Sequence, residues 1–253
     1  MSETVKSKGN VVDLSQYLNV YKFSTELPGT GEKVDFRPIN TFQLKELMSF
    51  DGDPDDALDN LINACVTTEG FDVRRLSLQD RFFLLVELRR KSKGDKYALS
   101  YTCDNCHGQV LDSIDMGKLK VKKLTKLDNV VKLDNNISLQ MKLLTREIRL
   151  QAAKKVEELI ASGEYSEKDK IMDEIIMSYL MCVTAIVTPA GKIDNPEIDK
   201  VVFLFKNGPL SFYDSLGKWF DDLDFGIEFK TTINCTHCKH KETIDIPLEN
   251  FFS

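Results

Sequence analysis

The chain has 253 residues, 34 Lys plus Arg against 40 Asp plus Glu, a formal net charge of −6, six cysteines and 42% apolar residues. That length suffices for a substantial core, in one large domain or two smaller ones, without covalent staples. The acidic balance argues against a general nucleic-acid binder, no apolar run reaches bilayer-spanning length, and the start "MSETVKSKGN" is too polar for a secretory signal, so a soluble intracellular protein is expected.

Residues 1–12 read as a flexible N-terminus, followed by a mainly helical region over 13–95. "PGTGEKVDF" invites comparison with a phosphate loop, but its glycine spacing is wrong and no Ser or Thr follows Lys33, so it predicts a turn. Thr41 can open a short helix through Phe42, Leu44, Leu47 and Met48. In "DGDPDDALD", Asp53 before Pro54 is an N-cap with proline at the first helical position, and the acidic start suits the helix dipole. Leu58, Leu61, Ile62 and Cys65 share one face of that helix, which puts Cys65 in the core. Ser77 and Asp80 approximate a capping box ahead of "RFFLLVELRRK", and Gly94 stops the helix.

A β region over 96–144 follows. "KLKVKKLTK" alternates lysine with Leu119, Val121 and Leu124, which predicts a solvated strand face or a protected sheet edge. "VVKLDNNISLQMKLL" reads as a hairpin turned at Asp134, Asn135 and Asn136. Over 145–224 a helical insertion is expected. Thr145 caps its first helix, Ser162 and Gly163 end it, and Ser166 with Asp169 caps a greasy helix containing "IIMSYLMCVTAIV" and running to Thr188 and Pro189. Asn195 and Pro196 start the next helix, Asn207, Gly208 and Pro209 break it, and "LSFYDSLGKWFDDL" forms a last amphipathic piece with Trp219. Strand alternation returns over 225–253.

Two Cys-x-x-Cys pairs punctuate the β segments: Cys103 with Cys106, and Cys235 with Cys238. Tyr97, Leu99, Tyr101 and Cys103 alternate in the same phase as Ile227, Phe229, Thr231, Ile233 and Cys235, so each pair closes a strand with its first cysteine on the apolar face. Each unit is strand, knuckle, strand. One pair cannot fill a coordination sphere, whereas two supply the tetrahedral Cys₄ set that structural Zn2+ prefers. The long separation weakens the signal relative to a compact ribbon. Closing a loop of roughly 130 residues costs only about 4 kcal/mol in its length-dependent part, against about 10–16 kcal/mol of apparent zinc affinity in finger peptides. Redox chemistry would need a cysteine at a helix N-terminus, but strands follow both pairs, and an intracellular location disfavours a disulfide. His107, His237 and His240 all flank the pairs; His240 is the one best placed to replace a cysteine ligand. No dinucleotide fingerprint, HExxH or nucleophile elbow occurs, which points away from an enzyme.

"ELRRKSKGDKYALSYTCDNCHG", "SLQMKLLTREI", a helical insert and "DFGIEFKTTINCTHCKHKETIDIPLENFF" together resemble the baseplate hub assembly proteins of T4-like contractile-tailed phages, from about Leu76 onward. The resemblance rests most on the arginine, glycine and strand leading into Cys103 and Cys106, and on the closing pair with terminal Phe251 and Phe252. It implies a non-enzymatic late protein that helps to build the baseplate hub, as a transient chaperone or a minor component. Its partners would be other baseplate or hub proteins, and its location the host cytoplasm during assembly or the virion baseplate. The expected fold is α+β: a discontinuous zinc-ribbon-like unit with an inserted helical region and an N-terminal helical region. Exposed aromatics in "LENFF" are candidate contact elements, the alternative being burial in the core. The rival is a zinc-ribbon nucleic-acid-binding or transcription-regulating protein using the face from Lys118 to Lys126; a thiol oxidoreductase is a third possibility.

Overall fold

The computed structural model describes residues 21–248 and 251–252; the N-terminal segment 1–12 lies outside them. The described residues form seven α-helices and small antiparallel sheets around two main apolar cores.

The first core begins with a hairpin that alternation alone did not reveal. Strands β1 (Phe23–Glu26) and β2 (Lys33–Phe36) pair from Phe23↔Phe36 to Glu26↔Lys33. The "PGTGEK" stretch turns between them, with Gly31 at φ +72°, a conformation that glycine adopts without a side-chain clash. Helix α1 (Thr41–Met48) starts where expected, but its cap is Asn40: the Asn40 side chain accepts from Gln43 N–H and the Gln43 side chain accepts from Asn40 N–H. Helix α2 (Pro54–Cys65) is capped by Asp53 and buries Cys65 completely, where desolvation pushes the thiol pKa up to about 11. Helix α3 (Leu78–Lys93) is capped by Ser77 and ends at Gly94, φ +86°.

Strands β3 (Lys96–Thr102) and β4 (Gln109–Asp115) form the first cysteine hairpin, and Tyr97, Leu99 and Ile114 face the first core. A two-residue strand, β5 (Val121–Lys122), pairs with β10 (Gly226–Ile227). Strands β11 (Lys230–Asn234) and β12 (Lys241–Asp245) form the second cysteine hairpin. Beyond it, Ile246 and Phe251 return to the first core.

The second core lies against a four-stranded sheet of order β6-β7-β8-β9: β6 (Val130–Lys132), β7 (Ser138–Met141), β8 (Val183–Thr188) and β9 (Gly191–Asp194). The β6–β7 turn falls at Asp134 as expected, because the Asp134 carboxylate accepts from the N–H groups of Asn136 and Ile137, both at 2.7 Å. Helices α4 (Arg146–Ala161), α5 (Lys170–Leu180), α6 (Ile198–Asn207) and α7 (Ser211–Asp221) complete this core. The segment 145–224, expected to be helical, thus contributes two strands. The helix predicted to reach Thr188 ends at Leu180, and Val183–Thr188 is strand. Val183, Thr184, Ile186, Val187 and Thr188 are β-branched and stiff in a helix. As an inner strand, paired on both sides, their apolar run lacks the alternation that distinguishes a strand from a buried helix.

Candidate metal centre

The two cysteine hairpins are built alike. Each closes on a six-residue loop, flanked by the pairs Thr102↔Gln109 and Asn234↔Lys241. In the first, Cys103 N–H donates to Gly108 O at 3.0 Å and His107 N–H to Cys103 O at 2.8 Å; in the second, Cys235 N–H donates to His240 O at 2.8 Å and Lys239 N–H to Cys235 O at 2.9 Å. The residue after the second cysteine is left-handed in both, His107 at φ 56° and Lys239 at φ 62°. That turn folds the second sulfur back beside the first.

The hairpins meet sulfur to sulfur. Cys103 Sγ lies 3.8 Å from Cys238 Sγ, Cys106 Sγ lies 3.6 Å from Cys235 Sγ, and all four sulfurs fall within 4.8 Å of one another. Around a tetrahedral ion with metal–sulfur bonds of about 2.3 Å, thiolates stand about 3.8 Å apart. The observed spacing fits such an ion, and the four cysteines together can hold one. None of the six cysteines is joined in a disulfide. Among the described residues no histidine joins the sulfur group, although His240 was the best-placed substitute ligand. Cys103 and Cys235 are buried and pack with Val110, while Cys106 is exposed. One wall of the site is therefore dry and the other faces water.

The thiols differ in their electrostatics. The Asn105 amide, 3.4 Å from Cys238 Sγ, and then the His240 backbone N–H hold the Cys238 pKa down to about 6. The Gly108 N–H favours the Cys106 thiolate, yet desolvation and the neighbouring thiols outweigh it and push Cys106 up to about 12. Of these two sulfurs, Cys238 is the one favoured as thiolate.

Contacts between the knuckles escaped the sequence reading. The Nε2–H of His237 donates to the Gln109 carbonyl at 3.1 Å. Its ring lies so close that a Cβ on Gly108 would meet His237 Cδ2 at 3.0 Å. Asn105 and His237 sit between the cysteines of their own pairs, a position that hints at a role but cannot reveal the cross-hairpin partner.

The lysine segment that carried the nucleic-acid alternative is partly compensated. Lys122 Nζ lies 2.7 Å from Asp224 and Lys123 Nζ lies 2.8 Å from Glu26. Of the two C-terminal aromatics, Phe251 takes the alternative weighed for it, burial in the core, while Phe252 is half-buried. Phe251 is buried, with its ring edge-on to Tyr97 and Phe229, and its carbonyl accepts from Arg89 Nε at 3.3 Å. Burial of its large ring in the first core wins over exposure.

A family model described as T4 bacteriophage base plate protein matches residues 19–253. The chain belongs to that family. As a baseplate protein, it is expected to contact other baseplate proteins and to reside in the virion or act at its assembly. The match extends well N-terminal of Leu76, where the motifs that suggested it begin. No curated protein and no solved structure matches the chain. Among the described residues, no helix of this baseplate protein is long and apolar enough to cross a membrane.

Proposed function

We propose that this baseplate protein is a non-enzymatic hub assembly factor, a chaperone or a minor hub component, whose fold is pinned by one structural zinc held by Cys103, Cys106, Cys235 and Cys238. The observation that carries the reading is the convergence of four sulfurs within 4.8 Å, from hairpins far apart in a chain matched almost throughout by the baseplate family. Four protein thiolates would fill a tetrahedral sphere, leaving no open position for water or substrate. The ion would hold the hairpins together rather than perform chemistry.

In this reading, 96–144 and 225–253 are the two halves of a zinc-ribbon-like unit, 145–224 is inserted between them, and 13–95 is the N-terminal, mainly helical region. The protein would act in the host cytoplasm during assembly, with the finished baseplate as the alternative destination. Co-expression with the other tail proteins of the same phage, followed by co-purification and metal analysis, tests both parts. Recovery with a hub protein and about one zinc per chain is expected. Salt-sensitive retention on DNA without any tail partner would instead favour the nucleic-acid alternative.

A further inference from the structure

On the face of the second core, residues of α5 and of α7 with its preceding Leu210, namely Met172, Ile176, Tyr179, Leu210, Tyr213 and Leu216, line an apolar groove of about 410 Å3. Its rim is open to solvent: Met172 is 60% and Leu210 76% exposed, and Ile175, which also lines it, is 41% exposed. Scattered exposed apolar residues are ordinary, but a contiguous set around a concave surface marks a binding site. Met172, Ile176 and Tyr179 recur at the spacing of successive helical turns, so the groove offers about 10 Å of apolar wall.

Charge identifies the occupant. Along α5 and α7 and their immediate ends stand six carboxylates, Asp169, Asp173, Glu174, Asp214, Asp221 and Asp222, against Lys170 and Lys218, with Lys206 of α6 acting on Asp173. Lys170 is taken up by Glu157 at 3.2 Å, outside the groove. A second copy of this chain docked face to face would bring these carboxylates together, and an anionic lipid surface would meet the same repulsion. Both walls are helices, so the groove offers no strand edge for β-addition.

We propose that this groove receives an amphipathic helix of another protein, with two or three apolar side chains at i, i+3 or i+4, and i+7, flanked by lysine or arginine. If the protein is a baseplate assembly factor, the helix belongs to another tail component; only that attribution rests on the function proposed above.

The test uses a fluorescein-labelled peptide of about 18 residues, long enough to form a helix in water, with leucines on one face and lysines on the other. A sister peptide carries glutamate in place of lysine. Fluorescence anisotropy with the full chain should show the lysine peptide binding, and the glutamate peptide binding at least about tenfold more weakly at low salt. Met172→Ser and Leu210→Ser should each weaken the lysine peptide about tenfold, whereas Ile171→Ser, at a residue 78% exposed but outside the groove lining, should leave it unchanged. Equal binding of the two peptides, no binding, or indifference to both groove substitutions would overturn the proposal. So would sedimentation showing a dimer of the chain alone that Met172→Ser dissolves. None of these outcomes bears on co-purification with tail proteins, so the two readings fail separately.

Discussion

Arg146, the first residue of α4, is bound to Asp59, in the middle of α2, with Nε 3.5 Å from Oδ2 and side-chain exposures of 7% and 0%. Its guanidinium also reaches Asp53 at 2.6 Å, Asp56 at 3.2 Å and Asp55 at 3.6 Å, and Arg81 approaches Asp59 from α3 at 2.7 Å. The acidic start of α2 is therefore more than a favourable helix end: it seats the helix that leads into the second core. Beside it, Leu78 N–H donates to Leu144 O at 3.1 Å.

Replacing Arg146 with Met should destabilise the protein by about 3 kcal/mol, because the buried Asp59 carboxylate keeps Arg81 but loses its second close cation. Arg74→Ala is the contrast. Arg74 is 44% exposed and 3.8 Å from Asp59, so its loss should cost no more than about 1 kcal/mol. Urea unfolding at neutral pH measures both, and equal midpoints for the two variants would contradict the assignment.

The same cluster predicts an acid response. The hydrogen bond from Arg146, and secondly the Asp55 backbone N–H, hold the Asp53 carboxyl below its ordinary value of 3.8. A depressed folded-state pKa contributes stability that is present above the unfolded value and lost as pH falls through the folded one. Asp53→Asn preserves an N-cap acceptor while removing the charge. It should lower the urea midpoint at pH 7 by an amount equivalent to less than about 1 kcal/mol, given the half-exposed position of Asp53. The difference from the parent should shrink below pH 4, and a gap that widens in acid would reverse the sign.

If the four cysteines hold zinc, cobalt substitution should give the visible absorption of a tetrahedral thiolate site, and Cys238→Ser should weaken it. Strong chelation should lower the melting temperature of the parent protein but not of a Cys103→Ser, Cys235→Ser double variant, which has already lost the site. Less than half an equivalent of metal in the purified chain, with every thiol free to react, would remove the ion from the account.

Much of this site could be read directly from residue order. The matched phase of Leu99, Tyr101 and Cys103 with Thr231, Ile233 and Cys235 placed one cysteine of each pair indoors, and the structure buries Cys103 and Cys235. Local signals succeeded where one segment decides its own geometry, as at Asp53, Ser77, Gly94 and Asp134. They failed at Val183–Thr188, whose strand state depends on neighbours β7 and β9. They also missed the Arg146 cluster, since pairing across 93 positions has no local pattern. Arg89 is instructive: it precedes the first knuckle, yet donates to the carbonyl of Phe251 and also to Gly94 and Lys96. Two motifs that looked separate in the sequence are one contact.

That contact predicts a fold defect rather than a binding defect at the C-terminus. Phe251→Ala should cost about 3–5 kcal/mol, the range for a large aromatic removed from a core. Phe252 is only partly buried, and its truncation should cost less. Thermal unfolding of the purified variants distinguishes the two, and a Phe251 variant that melts like the parent would place that ring outside the core.

The separation of the cysteine pairs also constrains biogenesis. During synthesis, Cys103 and Cys106 leave the ribosome without their partners, and the whole second core must emerge before Cys235 and Cys238 can close the quartet. A chain interrupted anywhere between the pairs keeps an unmatched pair of thiols, open to oxidation or to capture by quality control. The four sulfurs can therefore converge only after translation has passed both halves of the chain.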